Sequence, residues 1–121
     1  MASITVIDNW TGKQEGTGEA IARCARVTCN FHGYENEWPE QNPNTKRFDS
    51  TDEQGKPIKF VVGVGQVPAG FDQGVMGMKK GEKKRFTVPA ELGYGSGGIA
   101  NAVSGNVTLC FEVHVLEQEP F

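Results

Sequence analysis

The sequence is poor in the side chains that most enzymes use as metal ligands or nucleophiles. Its 121 residues include three cysteines and two histidines, and the spacing of Cys24, Cys29 and Cys110 matches no zinc motif. His32 and His114 have no neighbours at the spacing of metal ligands. We therefore expect no metal and no cofactor, and we interpret the cysteines as reduced thiols of a cytoplasmic protein.

Long apolar runs and an excess of positive charge are also missing. No stretch approaches the roughly 18 consecutive apolar residues of a membrane-spanning helix, and residues 1–9 lack the basic start and apolar run of a signal peptide. The formal net charge of −3 argues against a dedicated nucleic-acid-binding protein. A basic run at 79–85 is interpreted as a solvated turn before a strand, with phosphate contact as the alternative. We expect a monomer that binds neither membranes nor nucleic acid.

Glycine, in contrast, is abundant at 16 of 121 residues, which favours many turns and short elements. Alternating apolar and polar side chains predict strands at 4–8, 27–33, 56–62, 82–88 and 107–115. Phe71, Val75 and Met78 have the spacing of one short helix, which Pro68 can start. A single helix can cover only one face of a sheet, so the pattern predicts an α+β fold.

A chain of this length predicts one domain over residues 1–121. Two long irregular segments interrupt the pattern of strands. Residues 34–47, here called the enlarged loop, are polar and carry Trp38, which we expect to fold onto the protein's own surface. Residues 91–105, here called the cover loop, contain five glycines and are expected to be flexible.

The remaining candidates for a functional site are aromatic and aliphatic residues together with two polar ones. No nucleophile elbow, phosphate-binding loop or dinucleotide motif occurs in the chain. Composition and spacing place most of the set in an ordinary core and Asp49 in a turn. The set is Phe31, Phe48, Asp49, Val67, Phe71, Tyr94, Ile99 and Phe111.

At these residues the chain resembles the FKBP family, the macrolide-binding peptidyl-prolyl cis-trans isomerases. The motifs that carry the resemblance are Phe-Asp-Ser at 48–50, Gly-Phe-Asp-x-Gly at 70–74 and Leu-Gly-Tyr-Gly at 92–95. Weaker matches keep the same order and spacing from about residue 18 to residue 117, so the resemblance implies an N-terminal extension at 1–17. The loop at 34–47 is longer than in compact members of the family. The resemblance implies a twisted antiparallel sheet of about five strands wrapped over one short helix, with a ligand pocket between them.

The resemblance also implies an activity and a set of site residues. The implied activity is cis-trans isomerisation of X-Pro bonds in peptides and proteins, which assists folding and uses no metal or cofactor. The implied catalytic residues are Asp49, Tyr94 and Phe111. The implied substrate-binding residues are Phe31, Phe48, Ile58, Gln66, Val67, Pro68, Phe71 and Ile99, with Phe71 as the pocket floor. Macrolides of the tacrolimus and rapamycin type are the implied ligands.

Four positions depart from the family pattern. The family usually has tyrosine at Phe31, tryptophan at Phe71 and an aromatic residue at Ile58. Its typical isoleucine at Pro68 donates a backbone N–H to a ligand carbonyl, and proline has no N–H. The cover loop also lacks the prolines and the histidine common in the family. We therefore expect weakened macrolide binding, and the alternative function is a catalytically weak binding module that recognises a Pro-containing segment of a partner.

Overall fold

An antiparallel sheet of six strands forms the centre of the computed structural model, which describes residues 2–121. The strands are β1 (Thr5–Val6), β2 (Arg26–Glu35), β3 (Arg47–Ser50), β4 (Ile58–Val61), β5 (Lys83–Val88) and β6 (Leu109–Glu119). Helix α1 covers Thr51–Gln54, helix α2 covers Ala69–Val75, and a 3-10 turn covers Ala90–Leu92. The strand order is β1-β5-β6-β2, after which β3 and β4 both pair with β2. Within residues 2–121, no helix is long and apolar enough to cross a membrane.

The predicted α+β fold is confirmed, but residues 2–121 contain one more strand and one more helix than the pattern predicts. Segment 47–50, which the sequence places in a loop and a turn, pairs with the C-terminal half of β2. Ser50 then caps α1, because its Oγ accepts the N–H of Asp52 at 3.1 Å. Gly55 ends this helix after one turn with a φ of 77°. The predicted strand at 27–33 continues to Glu35, which leaves 36–46 for the enlarged loop.

The alternating residues of β6 form the centre of the core. Leu109, Phe111, Val113 and Val115 are each at most 2% exposed and belong to one cluster with the apolar side chains of α2. Met78, which the spacing assigns to the helix, lies beyond its end but is buried in the same cluster. Burial of apolar surface at roughly 25 cal/mol per Å² makes this cluster the main source of stability.

Helix α2 lies directly against β5 because two of its residues have no side chain. A Cβ atom at Gly70 would lie 2.2 Å from Cγ1 of Val88. A Cβ atom at Gly74 would lie 2.2 Å from two ring atoms of Phe86. Such distances are far below van der Waals contact, so the close packing of helix and sheet requires glycine at both positions.

A buried arginine organises the face of the sheet opposite the core. Arg85 is 7% exposed, and its guanidinium carbon lies 4.6 Å from the Trp10 ring centroid and 4.3 Å from that of Trp38. The same group donates hydrogen bonds to Glu40 at 2.7 and 3.0 Å and to Glu112 at 3.0 Å. The interpretation of 79–85 as a solvated turn is therefore wrong at Arg85, whereas Trp38 does fold onto the protein's own surface. The cluster joins the N-terminal extension and the enlarged loop to the sheet.

Gly74→Ala should test the contact between α2 and the sheet. At a solvent-exposed position in the middle of a helix, glycine to alanine stabilises the folded protein by about 1 kcal/mol. At Gly74 the added methyl group would overpack against the Phe86 ring, which costs about 1–3 kcal/mol. We expect a net loss in the free energy of unfolding, measured by urea denaturation. The control is Gln73→Ala at an exposed position of the same helix. A Gly74→Ala protein more stable than wild type would contradict the packing described here.

Candidate active site

A cavity of about 220 Å³ opens between the sheet and the start of α2. Nine of the eleven site residues predicted from the sequence line this cavity, and one further residue joins them. The lining residues are Phe31, Asp49, Gln54, Ile58, Gln66, Val67, Pro68, Phe71, Tyr94 and Phe111. The tertiary structure thus brings together side chains that are up to 80 positions apart in the chain.

Three phenylalanine rings form the apolar part of the cavity. The centroid of Phe71 lies 4.9 Å from that of Phe111 and 5.4 Å from that of Phe31, with interplanar angles of 78° and 69°. Edge-to-face contacts of this kind are favourable beyond the area that they bury. Phe71 and Phe111 are each 2% exposed, so the surrounding core fixes both rings before any ligand arrives.

Two predicted site residues, Phe48 and Ile99, are placed differently from the rest. The Phe48 ring packs 5.8 Å from Phe111 and 6.2 Å from Tyr94, and lies over Gly33, where a Cβ atom would approach it to 2.5 Å. It supports the wall of the cavity from outside the lining set. Ile99 is 43% exposed on the cover loop and is also absent from the lining set.

The polar rim of the cavity is held by both ends of α1, the N-cap Ser50 and the last residue Gln54. Oδ1 of Asp49 accepts the N–H of Ser50 at 2.8 Å and a hydrogen bond from Nε2 of Gln54 at 2.9 Å. These two bonds fix the orientation of the Asp49 carboxylate. Gln54 was not predicted as a site residue. Its signal in the sequence is the Ser-x-x-Glu pattern at 50–53, which is typical of a helix start and would have placed residue 54 one turn beyond Ser50.

Tyr94 supplies a hydroxyl group at the same rim. It follows the 3-10 turn Ala90–Leu92, and Gly93 between them approaches Leu109 so closely that a Cβ atom would lie 2.7 Å from its Cδ1. Burial, and secondarily the charge of Asp49, raise the pKa of the Tyr94 phenol above its ordinary value. The phenol is therefore protonated near neutral pH and can donate a hydrogen bond.

Pro68 stands at the start of α2 and lines the cavity without offering a backbone donor. Its φ of −53° and ψ of 144° are those of a residue that precedes a helix, and its carbonyl accepts the N–H groups of Phe71 and Asp72. Gln66, two residues earlier, accepts the N–H of Val61 through its side chain at 2.8 Å. The segment 66–68 is thereby joined to both β4 and α2. Its residue 68 has no backbone N–H to offer a ligand.

The glycines of the cover loop allow close contacts between backbone segments. A Cβ atom at Gly98 would lie 2.2 Å from the carbonyl oxygen of Val103, and one at Gly105 would lie 2.1 Å from that of Ser96. Ile99 and Val103 exchange two backbone hydrogen bonds at 2.8 and 2.9 Å. Gly98 and Gly105 are therefore needed for the close approach of backbone segments within the cover loop, and the flexibility expected of this loop stays a prediction.

A larger groove of about 280 Å³ lies on the opposite face of the sheet. Its lining includes Trp10 and five ionisable residues, His32, Asp52, Lys83, Glu112 and His114. Among the described residues, no group of three or more His, Cys, Asp or Glu side chains is placed to hold a metal ion. The groove lacks the buried aromatic floor of the smaller cavity, which remains the candidate active site.

Comparison with known proteins agrees with this architecture. The family model described as FKBP-type peptidyl-prolyl cis-trans isomerase matches residues 18–116. An FK506-binding protein of Neisseria meningitidis serogroup B is 38% identical over 104 residues, which are 86% of this chain and 89% of that protein. The peptidyl-prolyl cis-trans isomerase FKBP2 of Homo sapiens is 47% identical over 72 residues, which are 60% of this chain and 51% of that protein.

The structure is that of an α+β protein in which a short helix packs against an antiparallel sheet and an aromatic cavity lies between them. The chain belongs to the FKBP-type peptidyl-prolyl cis-trans isomerase family, because the family match covers more than half of its residues. It is therefore an enzyme of the peptidyl-prolyl cis-trans isomerase class. The N-terminal extension lies outside the matched segment.

The titration of Tyr94 should report its position beside Asp49. In a Tyr34→Phe background, which leaves one tyrosine, we expect the phenol to ionise above its ordinary pKa of 10.0. Because the folded-state pKa is raised, the stability from this group is fully present below the unfolded pKa and is lost as the pH rises through the folded pKa.

Asp49→Asn removes one cause of the shift and leaves the other. It should lower the pKa of Tyr94 while burial keeps it above the ordinary value, as followed by phenolate absorbance. An unchanged titration curve would mean that the two side chains do not interact.

Proposed function

We propose that the cavity binds the prolyl side of an X-Pro bond and accelerates its cis-trans isomerisation, which assists the folding of Pro-containing proteins. The observation that carries this proposal is the set of edge-to-face rings at Phe31, Phe71 and Phe111, with Asp49 and Tyr94 at its rim. A proline ring is compact and apolar. It can enter such a cavity without leaving a polar group unpaired.

The mechanism follows from the electronic structure of the amide. The barrier to rotation is about 18–20 kcal/mol because twisting breaks the resonance of the planar amide. The twisted amide has less charge separation than the planar one, so an apolar cavity destabilises the planar ground state relative to the transition state. Each tenfold acceleration needs about 1.4 kcal/mol of this difference. No step requires a nucleophile or a metal.

The two rim residues orient the substrate around the bond that rotates. The Tyr94 hydroxyl, protonated near neutral pH, donates a hydrogen bond to a substrate carbonyl. The Asp49 carboxylate, whose orientation is set by Ser50 and Gln54, accepts a hydrogen bond and orients its neighbours. Their contribution is positional, and the aromatic rings provide the larger part of the effect.

The state of the cysteines bears on the compartment in which the protein works. All three cysteines are free, and burial raises the pKa of Cys29 to about 12 and that of Cys110 to about 11, so these two remain protonated thiols. This state fits a reducing, cytoplasmic setting. We place the chain there as a monomeric single domain over 1–121. Its extension and enlarged loop are held to the sheet by Arg85.

Relatives named FK506-binding proteins support macrolide binding as a second property of the cavity. We infer that such ligands bind here more weakly than in typical members of the family. The reason is Pro68, which lines the cavity without a backbone N–H. A missing hydrogen bond costs about 0.5–1.5 kcal/mol.

Phe111→Leu should separate catalysis from core stability. We expect kcat/KM on an X-Pro peptide to fall about tenfold or more, because the ring that lines the cavity is lost. Phe86→Leu is the control for core stability, since Phe86 is a buried ring 5.8 Å from Phe111 that does not line the cavity; it should lower the free energy of unfolding to a similar extent and reduce kcat/KM less than Phe111→Leu does. Tyr94→Phe should have an intermediate effect of about two- to tenfold.

The order of these effects decides the mechanism. A larger loss for Tyr94→Phe than for Phe111→Leu would contradict desolvation as the main contribution. A folded wild-type protein that binds Pro-containing peptides without accelerating isomerisation would support the binding module instead.

Replacing Pro68 should restore a donor to the cavity. We expect Pro68→Ile and Pro68→Ala each to tighten tacrolimus binding by about two- to tenfold, measured by calorimetry, because both restore a backbone N–H. Tightening by isoleucine but not by alanine would show that apolar contact, and not the hydrogen bond, limits binding.

A further inference from the structure

The last residue of β2 contacts a distant part of the chain. Oε2 of Glu35 accepts the backbone N–H of Ser104 at 3.1 Å and lies 3.2 Å from Nζ of Lys46. The side chain is 9% exposed. Burial opposes its charge, but the hydrogen bonds from Ser104 and Lys46 outweigh burial and hold the pKa of Glu35 below its ordinary value. The carboxylate is therefore charged near neutral pH and binds the cover loop through an anionic acceptor.

A second pair of bonds joins the same two segments. The N–H of Asn36 donates to the carbonyl of Thr108 at 2.7 Å, and Oδ1 of Asn36 accepts the N–H of Thr108 at 3.0 Å. Thr108 lies between the cover loop and β6. The junction of β2 and the enlarged loop thus holds the end of the cover loop at Ser104 and the segment that follows it at Thr108.

Backbone contacts continue from Ser104 to the cavity. Val103, next to Ser104, exchanges two hydrogen bonds with Ile99. The N–H of Gly98 donates to the carbonyl of Tyr94 at 3.0 Å. Gly98 also lies against the backbone of Val103 and Ser104, so we expect a shift at Ser104 to displace the segment that carries Ile99 and Tyr94.

The enlarged loop is itself held in place, so it can serve as a fixed support. Glu40 accepts two hydrogen bonds from Arg85, and Trp38 stacks on the same guanidinium. Oγ1 of Thr45 donates to the carbonyl of Glu35 at 3.0 Å. Glu35 therefore contacts the cover loop from a position fixed by the buried cluster around Arg85.

We propose that Glu35 is a positioning residue for the isomerase: its carboxylate holds Ser104, and through it the cover loop, which carries Tyr94 at the rim of the substrate cavity. This inference rests on the proposed function of that cavity. Glu35 is not among the residues that line the cavity. Without it, the loop must be ordered when substrate binds, which raises KM. The aromatic rings that act on the twisted amide stay in place, which leaves kcat unchanged.

The test compares Glu35→Ala, Glu35→Gln and Glu37→Ala with wild type. On a Pro-containing peptide long enough to reach the cover loop, Glu35→Ala should raise KM about fivefold with kcat nearly unchanged. Glu35→Gln keeps an acceptor for Ser104 and should restore most of the wild-type KM. Glu37→Ala, at an exposed position of the enlarged loop, is the matched control and should behave as wild type.

A second readout does not depend on catalysis. Hydrogen exchange at the Ser104 amide should be faster in Glu35→Ala than in wild type and unchanged in Glu37→Ala. Unchanged exchange in Glu35→Ala, or a fall in kcat at constant KM, would overturn the positioning role. An inactive wild-type protein would overturn the proposed function, while the exchange measurement would still decide whether Glu35 holds the loop.

Discussion

The approach of α2 to β5 is the contact on which the site depends. Gly70 and Gly74 let the helix backbone meet the side chains of the sheet directly, and Phe86 occupies the space that a Cβ atom would need. At this distance Phe71 comes within 4.9 Å of Phe111. A wider separation would open the floor of the cavity to water and weaken the desolvation that the proposed mechanism uses.

Strand β2 connects the two faces of the molecule. Its core-facing Phe31 lines the cavity, while the next residue, His32, lies with Nδ1 2.8 Å from Oγ of Ser50. Ser50 also caps the helix that holds Gln54 beside Asp49. The polar rim of the cavity is therefore supported by contacts on the other side of the sheet, where water and charged groups can be accommodated.

Charge is distributed unevenly between these two faces. The guanidinium of Arg85 is satisfied by two carboxylates and two indole rings on the outer face. Its strand neighbour Phe86 is fully buried in the core on the other face. Alternation along one strand thus separates an ionic cluster from an apolar core. The cluster holds the enlarged loop in the position from which Glu35 reaches the cover loop.

Local patterns in the sequence determined the strands of the core other than β3 and the start of α2 at Pro68, because alternation and turn chemistry act over a few positions. Composition and spacing alone place most of the cavity residues in an ordinary core, and nine of them were assigned to the site only through the resemblance to the FKBP family. Only the tertiary structure decided the burial of Arg85, whose partner Glu40 is 45 positions away. It also placed Ile99 outside the cavity and Gln54 within it. These outcomes depend on which distant segments meet, and no local pattern contains that information.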